Sequence, residues 1–339
     1  MPLRASVIVP VRNGARLLPR CLRALARQSL PREQYEVIVV DDGSRDDTAG
    51  VARRWGARVF RQAPLGPAQA RNQGVREARA PIVLFTDADC APAEDWIESM
   101  LRPFEDPSIV GAKGVYRSRQ KALVARFVQR EYESKYERML KQFMIDFVDT
   151  YSAAFRREAF LAAGGFSAAF RTSSVEDQEF SFRLHKRGAK MVFVPAAVVE
   201  HLHVTTAWGY LRKKFKIGFY KALLLFRHPG RVRGDSHTPG SLQLQMVLLY
   251  LVLAALLLSP WIGPGVIAWT FLLFLLSQAP FWIGLAQKRD WKLLAAAPAL
   301  LTLRALGLAL GLLCGAVYFG LGALFRAQAE HPGADDAGA

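Results

Sequence analysis

Cysteine is nearly absent: Cys21, Cys90 and Cys314 are the three thiols in 339 residues. Odd in number and scattered, they fit neither a disulfide framework nor the paired spacing of a zinc site, as expected in a reducing compartment. No Gly-x-Gly-x-x-Gly opens the first strand–helix turn, which argues against a dinucleotide-binding oxidoreductase, and a Walker A loop is also missing. The apolar run Ser6–Val11 is too short for a secretory signal and has no cleavage site after it. Acidic residues are in deficit, with 29 Asp plus Glu against 45 Lys plus Arg, a net charge of +16. Such an imbalance implies an anionic partner: nucleic acid, anionic lipid or a phosphate-bearing substrate. The basic residues cluster beside apolar stretches and accompany no recognised nucleic-acid-binding motif, so no nucleic-acid partner is expected. Hydrophobic residues make up 51% of the chain, concentrated towards its C-terminal end, which favours lipid.

Charge disappears almost entirely from three C-terminal stretches, 244–261, 266–286 and 305–325. A bilayer core needs roughly 20 apolar residues, so each can cross one. Three spans are expected within residues 242–326, or two if 295–325 is partly interfacial. Arg304 sits near the start of the last stretch and could snorkel. Arg227, Arg231 and Arg233 precede the first stretch, and Lys288, Arg289 and Lys292 separate the second from the third. By the positive-inside rule both flanks face the cytoplasm, making this a multi-pass inner-membrane protein with a cytoplasmic N-terminal domain. Residues 327–339 read as a disordered tail.

The N-terminal domain, residues 1–205, begins with regular alternation. Strands are expected at 6–11, 36–40, 57–60 and 81–86, with helices around 17–25, 46–55 and 69–79 between them. That alternation predicts an α/β fold with a mainly parallel sheet and right-handed crossovers. Further on, helices are expected within 121–147, at 159–166 ending in Gly164-Gly165, and at 175–187. A strand is expected at 191–194, before Pro195. Residues 206–235 form a basic helix and linker. Trp208, Arg212, Lys213, Lys214 and Lys216 suit a helix lying on anionic headgroups, against the plainer alternative of a solvated charged face.

Acidic residues fall where strands end. Asp87-Ala88-Asp89 closes the fourth strand. Open parallel sheets place ligand groups at such carboxyl ends, and two closely spaced aspartates can hold a divalent cation with the phosphate oxygens it bridges. Alternatively, Asp89 caps a helix that follows Pro92. Asp41-Asp42-Gly43-Ser44 closes the second strand, either offering a carboxylate acceptor to a nucleobase or ribose or forming an ordinary turn. Arg71 reads as a phosphate or base contact, or as a solvated helix residue. Ser173-Ser174-Val175-Glu176-Asp177 opens a helix as a capping box, or places Asp177 as a general base. His201 and His203 are metal or phosphate contacts, or structural histidines.

Taken in order, these segments resemble family 2 glycosyltransferases with the GT-A fold. The likeness rests on Val7–Asn13, Val40–Ser44 with Asp47-Thr48, Ala70–Gly74, Thr86–Asp89, Gly164–Phe166 and Glu176-Asp177, and covers about residues 4–220. It implies an inverting transferase that uses a nucleotide-diphospho-sugar and Mg²⁺ or Mn²⁺. By that likeness Pro10, Asn13 and Asp42 line the nucleoside pocket, Arg71 lies near the base or diphosphate, and Asp87 near the ribose or sugar. Asp89 holds the metal, Asp177 is the catalytic base, and His201 matches a less constant position that sometimes contacts metal or diphosphate.

Processive relatives carry Gln-x-x-Arg-Trp on an interfacial helix, whereas here Trp208-Gly-Tyr-Leu-Arg-Lys-Lys214 occupies the region. That lowers the standing of a processive polysaccharide synthase and favours one sugar moved to a lipid-linked or glycan acceptor at the membrane. In this reading the 208–226 helix positions the acceptor headgroup for Asp177. A nucleotidyltransferase would need a Gly-rich basic loop where only Arg12-Asn13-Gly14 stands, and an inactive scaffold would have no need of Asp89 and Asp177.

Overall fold

The structure, a computed structural model, describes residues 2–170, 172, 174–230 and 240–330, with side chains described as far as 321. Two compact units divide the chain, one from the N-terminus to Val204, the other comprising Thr205–Gly230 and the C-terminal helices. Arg231, Arg233 and the expected tail beyond 330 lie outside the described residues, as does Ser173 of the expected capping box.

In the first unit the chain runs β1 (Ala5–Val11), α1 (Leu18–Leu25), β2 (Tyr35–Asp41), α2 (Thr48–Arg54), β3 (Arg58–Arg61), α3 (Pro67–Glu77), β4 (Ile82–Phe85) and β5 (Cys90–Pro92). It continues through α4 (Trp96–Leu101), β6 (Ile109–Arg117), α5 (Leu123–Met139), β7 (Ala153–Arg156), α6 (Arg157–Ala162), α7 (Glu176–Lys186) and β8 (Lys190–His201). These strands form one sheet in the order β3-β2-β1-β4-β7-β6-β8-β5. β3, β2, β1 and β4 are parallel, β7 is antiparallel to both its neighbours, and β5 is antiparallel to β8.

Both faces of the parallel half are covered, and the strand sequences say why. Val7, Val9, Val37, Val39, Ile82 and Leu84 point into one core with Leu18, Leu22 and Trp96 of the helices. The alternate residues Ile8, Ile38, Val40, Val83 and Phe85 point into a second core with Ala70, Val75, Phe160 and Phe180. Near-continuous β-branched runs are what a sheet buried on both faces requires. Since β2 and β4 flank β1, the chain reverses its direction of travel across the sheet there, and the carboxyl ends of β1, β2 and β4 open towards one crevice.

Three departures from expectation have local causes. Asp89 caps no helix, because Cys90–Pro92 forms β5 and α4 begins only at Trp96, with Asp95 at its N-cap. β8 does not stop at Pro195 but runs on to His201. The register against β6 jumps from Lys113↔Phe193 to Val115↔Val198, so Pro195 sits in a bulge where its missing N–H interrupts no ladder. The helix expected to reach Phe166 ends at Ala162, and Gly164 and Gly165 follow with φ of +80° and +64°. A Cβ on Gly165 would stand 2.6 Å from Asn72 Oδ1.

The second unit contains α8 (Ala207–Arg227), α9 (Gly240–Leu257), α10 (Pro264–Leu276), α11 (Ala279–Gln287) and α12 (Trp291–Glu330). α9 and the 291–321 stretch of α12 are each long and apolar enough to cross a bilayer. α10 and α11, bent by 42° at their junction, make a third crossing if they count as one. The last apolar segment thus begins at Trp291 rather than Ala305, and Arg304 lies well inside it. Its side chain does not snorkel: it is buried and donates from Nη2 to Gln245 Oε1 at 2.7 Å, while Gln245 Nε2 donates to the Ser277 carbonyl.

α8 is not an isolated surface helix. Gly307, Gly311 and Gly315 of α12 meet Leu211, Phe215 and Phe219 of α8 in turn, so the two helices run parallel in close contact. Residues four apart share a helix face, and glycines there let backbones approach closely. A Cβ on Gly311 would come within 2.1 Å of the Phe215 carbonyl oxygen, whereas Gly320 has open space. Gly311→Val should therefore cost more than the roughly 1–3 kcal/mol usual for overpacking. Melting in detergent should show the loss, with Gly320→Val close to wild type; equal melts would remove this seam as a determinant of the pair.

Candidate active site

The crevice at the ends of β1, β2 and β4 collects most of the residues singled out by sequence. Pro10 is buried near the end of β1. Asn13, with φ of +51°, donates its amide to Ser44 Oγ at 2.8 Å and accepts at Oδ1 from the Arg45 amide at 2.8 Å. These bonds tie the loop after β1 to the loop after β2. Asp42 is buried, and its Oδ1 accepts from Gln62 Nε2 at 2.7 Å and the Leu65 amide at 2.9 Å, while the Gly66 amide lies 3.0 Å from Oδ2. Its carboxylate thereby fixes the loop that leads into α3.

Arg71 joins segments far apart in sequence. From the middle of α3 its side chain, 2% exposed, donates from Nη2 to Asp87 Oδ1 at 2.7 Å and from Nη1 to Glu176 Oε1 at 3.2 Å. One guanidinium fork therefore bridges the end of β4 to the first turn of α7, the two-acceptor geometry for which arginine is suited. So placed, Arg71 orients carboxylates. Asn72, the next residue, donates from Nδ2 to the Phe166 carbonyl and accepts from the Phe166 amide, both at 2.8 Å, tying the Gly164-Gly165 loop to the same helix.

Asp177 follows Glu176 in α7. Its Oδ1 accepts from the Gln178 amide at 2.8 Å, and its Oδ2 from the Thr150 amide at a longer 3.3 Å. Burial first, then the negative charges of Glu176 and Asp149, push its carboxyl well above the usual aspartate range, with Arg71 pulling the other way. Asp149 is itself ion-paired to the buried Lys113. Val175, not a serine, stands at the N-cap of α7 with no side-chain capping bond, while the Ser174 amide donates to Glu176 Oε2 at 2.7 Å.

Asp89 and His201 come together although 112 positions separate them. His201 ends β8 opposite Cys90 of β5, and this cross-strand pairing brings its Nε2 to 3.4 Å from Asp89 Oδ2. Ligand atoms of Asp89, Cys90 and His201 lie within 4.8 Å of one another, the grouping able to hold a metal ion among the described residues. A carboxylate oxygen and an imidazole nitrogen suit a first-row divalent cation such as Mn²⁺. Burial first, then Asp87 and Asp89, raise the Cys90 thiol well above its ordinary range, so it stands as a neutral thiol beside the oxygen–nitrogen pair. The sequence spacing speaks against Cys90 as a metal ligand, because a lone cysteine has no partner nearby in the chain; the β5–β8 pairing supplies the neighbour. Asp149 and Gln129 are additions of the structure, as is the pairing of Glu176 with Arg71. Trp208, Arg212 and Lys213 belong to the second unit, on exposed positions of α8, with Lys214 and Lys216 half-buried on the same helix.

Known proteins resemble the chain to different extents. A pre-mycofactocin glycosyltransferase of Mycobacterium tuberculosis is 30% identical over 238 residues, which is 67% of this chain and 48% of that protein. Glycosyltransferase AglE of Haloferax volcanii is 37% identical over 99 residues, 27% of this chain and 33% of the relative. The chain thus spans about half or less of the length of these two curated relatives. Among solved structures, a Pyrobaculum calidifontis mannosyltransferase in complex with GDP-Man and Mn²⁺ superposes with a TM-score of 0.59 at 22% identity, covering 92% of this chain and 88% of that one. That likeness establishes the GT-A-like fold. The sequence model "Glycosyl transferase family 2" matches residues 6–163, and this segment, which holds β1 to β4, Arg71 and the Asp87–Asp89 loop, belongs to glycosyl transferase family 2.

Proposed function

We propose that the protein is an inverting, metal-dependent glycosyltransferase that moves a sugar from a nucleotide-diphospho-sugar to a membrane-associated, lipid-linked acceptor. The observation that carries this reading is the Arg71 bridge: it ties Asp87, on the donor side by family likeness, to Glu176, the neighbour of Asp177. Family membership and the curated glycosyltransferase relatives support the activity.

In this reading Asp42 and Asn13 shape the nucleoside pocket by fixing the loops around it, Pro10 lines it, and Asp87 faces ribose or sugar. Asp89 and His201 would hold a divalent cation, which would supply positive charge to offset that of a diphosphate leaving group. Asp177 takes the proton from the acceptor hydroxyl. The acceptor oxygen then forms its bond to the anomeric carbon as the bond to phosphate breaks, and that electron pair leaves with the diphosphate. One in-line displacement inverts the anomeric centre, so one base suffices and no covalent nucleophile is required. The raised Asp177 carboxyl strengthens the base once it is ionised.

Helices long enough to span a bilayer support a multi-pass membrane location, and the basic residues at 227, 288, 289 and 292 favour a cytoplasmic catalytic unit. Lys213, Lys214 and Lys216 would then meet anionic lipid or the acceptor's phosphate. Replacing all three with glutamine should raise the apparent KM for lipid acceptor several-fold and leave that for nucleotide-sugar unchanged. Equal effects on both substrates would count against an acceptor role.

The activity is tested in membranes carrying the protein, supplied with a panel of radiolabelled nucleotide-sugars and extracted lipids. Label should enter the lipid fraction, nucleoside diphosphate should be released, and a chelator should stop transfer. Release of pyrophosphate instead would make the protein a nucleotidyltransferase.

A further inference from the structure

Behind His201 a chain of hydrogen bonds leads away from the proposed metal position into the fold. His201 Nδ1 lies 3.1 Å from His203 Nδ1, and His203 Nε2 lies 3.0 Å from Gln129 Oε1. The direction of each bond follows from what the last member can offer. Gln129 is buried, and its Nε2 donates to the Tyr116 carbonyl and to Glu133 Oε1, both at 3.3 Å. An amide nitrogen has two protons, and both are spent there, so the oxygen must face His203 and can only accept. His203 therefore carries its proton on Nε2, and its Nδ1 is an acceptor. The short Nδ1–Nδ1 contact then requires His201 to donate from Nδ1. On a neutral His201 what remains is an Nε2 lone pair, aimed at Asp89 Oδ2 3.4 Å away, whereas a doubly protonated ring would donate to that carboxylate.

A lone pair facing a carboxylate is repulsive unless a positive charge lies between them. That is the form an imidazole must take to bind a metal through Nε2, and ligating histidines commonly have the other nitrogen tied to an acceptor that fixes the tautomer. The backbone holds the relay in register. Gln120 donates from Nε2 to the His203 carbonyl at 3.1 Å and accepts at Oε1 from the His203 amide at 2.6 Å. Tyr132 stacks on the His203 ring and Tyr116 on the His201 ring, with centroids 5.7 Å and 4.3 Å apart.

We infer that Gln129 and His203 are positioning residues for a divalent cation, acting through His201 by holding its Nδ1 protonated and its Nε2 open towards Asp89. This rests on the proposed metal role of Asp89 and His201. It assigns a function to α5, whose Gln129 acts on the ligand through His203.

The test uses the full-length protein in detergent and Mn²⁺ alone, with free Mn²⁺ followed by electron paramagnetic resonance. Wild type should bind, and Asp89→Ala should not. Gln129→Met and His203→Phe, which keep bulk but remove the relay, should each weaken Mn²⁺ binding about 10–100-fold. His203→Asn, which keeps an acceptor for His201 Nδ1, should recover most of the loss. The Gln129→Met/His203→Phe double variant should be no worse than His203→Phe, since both break one chain, whereas independent packing defects would add. Imidazole nitrogen spectra of metal-free wild type, labelled at histidine, should show His201 protonated at Nδ1, a measurement that needs no variant to fold. Protonation at Nε2 alone, or unchanged Mn²⁺ affinity in Gln129→Met, overturns the inference while leaving the metal role standing. No Mn²⁺ binding by wild type overturns the metal role itself.

Discussion

Asp177→Asn is expected to lower turnover by about 10²–10⁴-fold, the usual contribution of a positioned base, while nucleotide-sugar binding stays within a few-fold of wild type. Asparagine keeps one oxygen, enough for the 2.8 Å bond from the Gln178 amide at the turn that opens α7, and gives up the longer 3.3 Å bond from the Thr150 amide. What it loses is the ability to take a proton. The pH dependence sharpens the test, because burial and the neighbours Glu176 and Asp149 raise the Asp177 carboxyl. Its base form is populated only as pH climbs through that raised value, so wild-type kcat/KM should rise on an acid limb above the ordinary aspartate range. The residual rate of the variant should lack that limb. Stability runs the other way. A carboxyl whose folded pKa exceeds its unfolded value supports the fold at low pH, and that support is lost as pH rises through the folded value. Asparagine cannot ionise, so at neutral pH that gain offsets the lost Thr150 bond and the variant should melt close to wild type. A variant that melts normally and turns over at full rate would remove Asp177 from the chemistry.

The parallel half of the sheet was legible because its physics is local. β1, β2 and β4 are apolar runs closed by polar turns, and the helices between them repeat their apolar residues at helical spacing. The later strands were not. β6 carries the buried Lys113 in mid-strand, a charge made tolerable by Asp149, 36 positions away, and β5 is three residues long with a proline in it. Site residues divide in the same way. Asp87, Asp89 and Asp177 stand at element ends where sequence alone marks them. Glu176, in contrast, reads as an ordinary acid of a helix first turn, and its pairing with Arg71 emerges only when α3 and α7 are folded together. Cys90 and His201 become neighbours through antiparallel pairing at the far edge of the sheet, which no local pattern announces. Arg304 misled for a related reason. A charge near the expected start of a span reads as interfacial, but the helix begins 13 residues earlier at Trp291, and Gln245 from another helix receives the guanidinium.

Arg71→Met should have the largest effect on stability, about 3–5 kcal/mol, because removing one partner of a buried pair strands the other's charge. The stranded group is Glu176, whose side chain is 2% exposed and ion-paired to Arg71. Asp87, 30% exposed, keeps more contact with solvent and loses less. For a unit of about 200 residues such a loss lowers the melting temperature by on the order of 10 °C. Activity should fall beyond what instability explains. Arg71, with the Gln178 amide, offsets the upward push on Asp177, so its removal raises that carboxyl further and leaves less of the base ionised at a given pH. Arg71→Lys keeps the charge but replaces a planar fork with a point donor, and should fall between methionine and wild type. Glu176→Gln introduced beside Arg71→Met should return much of the stability, since no buried charge is then left unpaired, without returning Asp87 to its partner. Thermal melts of the single and double variants measure the coupling directly. If Arg71→Met melts within 2–3 °C of wild type, corresponding to about 1 kcal/mol, the bridge does not hold β4 and α7 together, and the common placement of Asp87 and Asp177 must come from the packing of Phe85, Phe160, Phe166 and Phe180 beneath them.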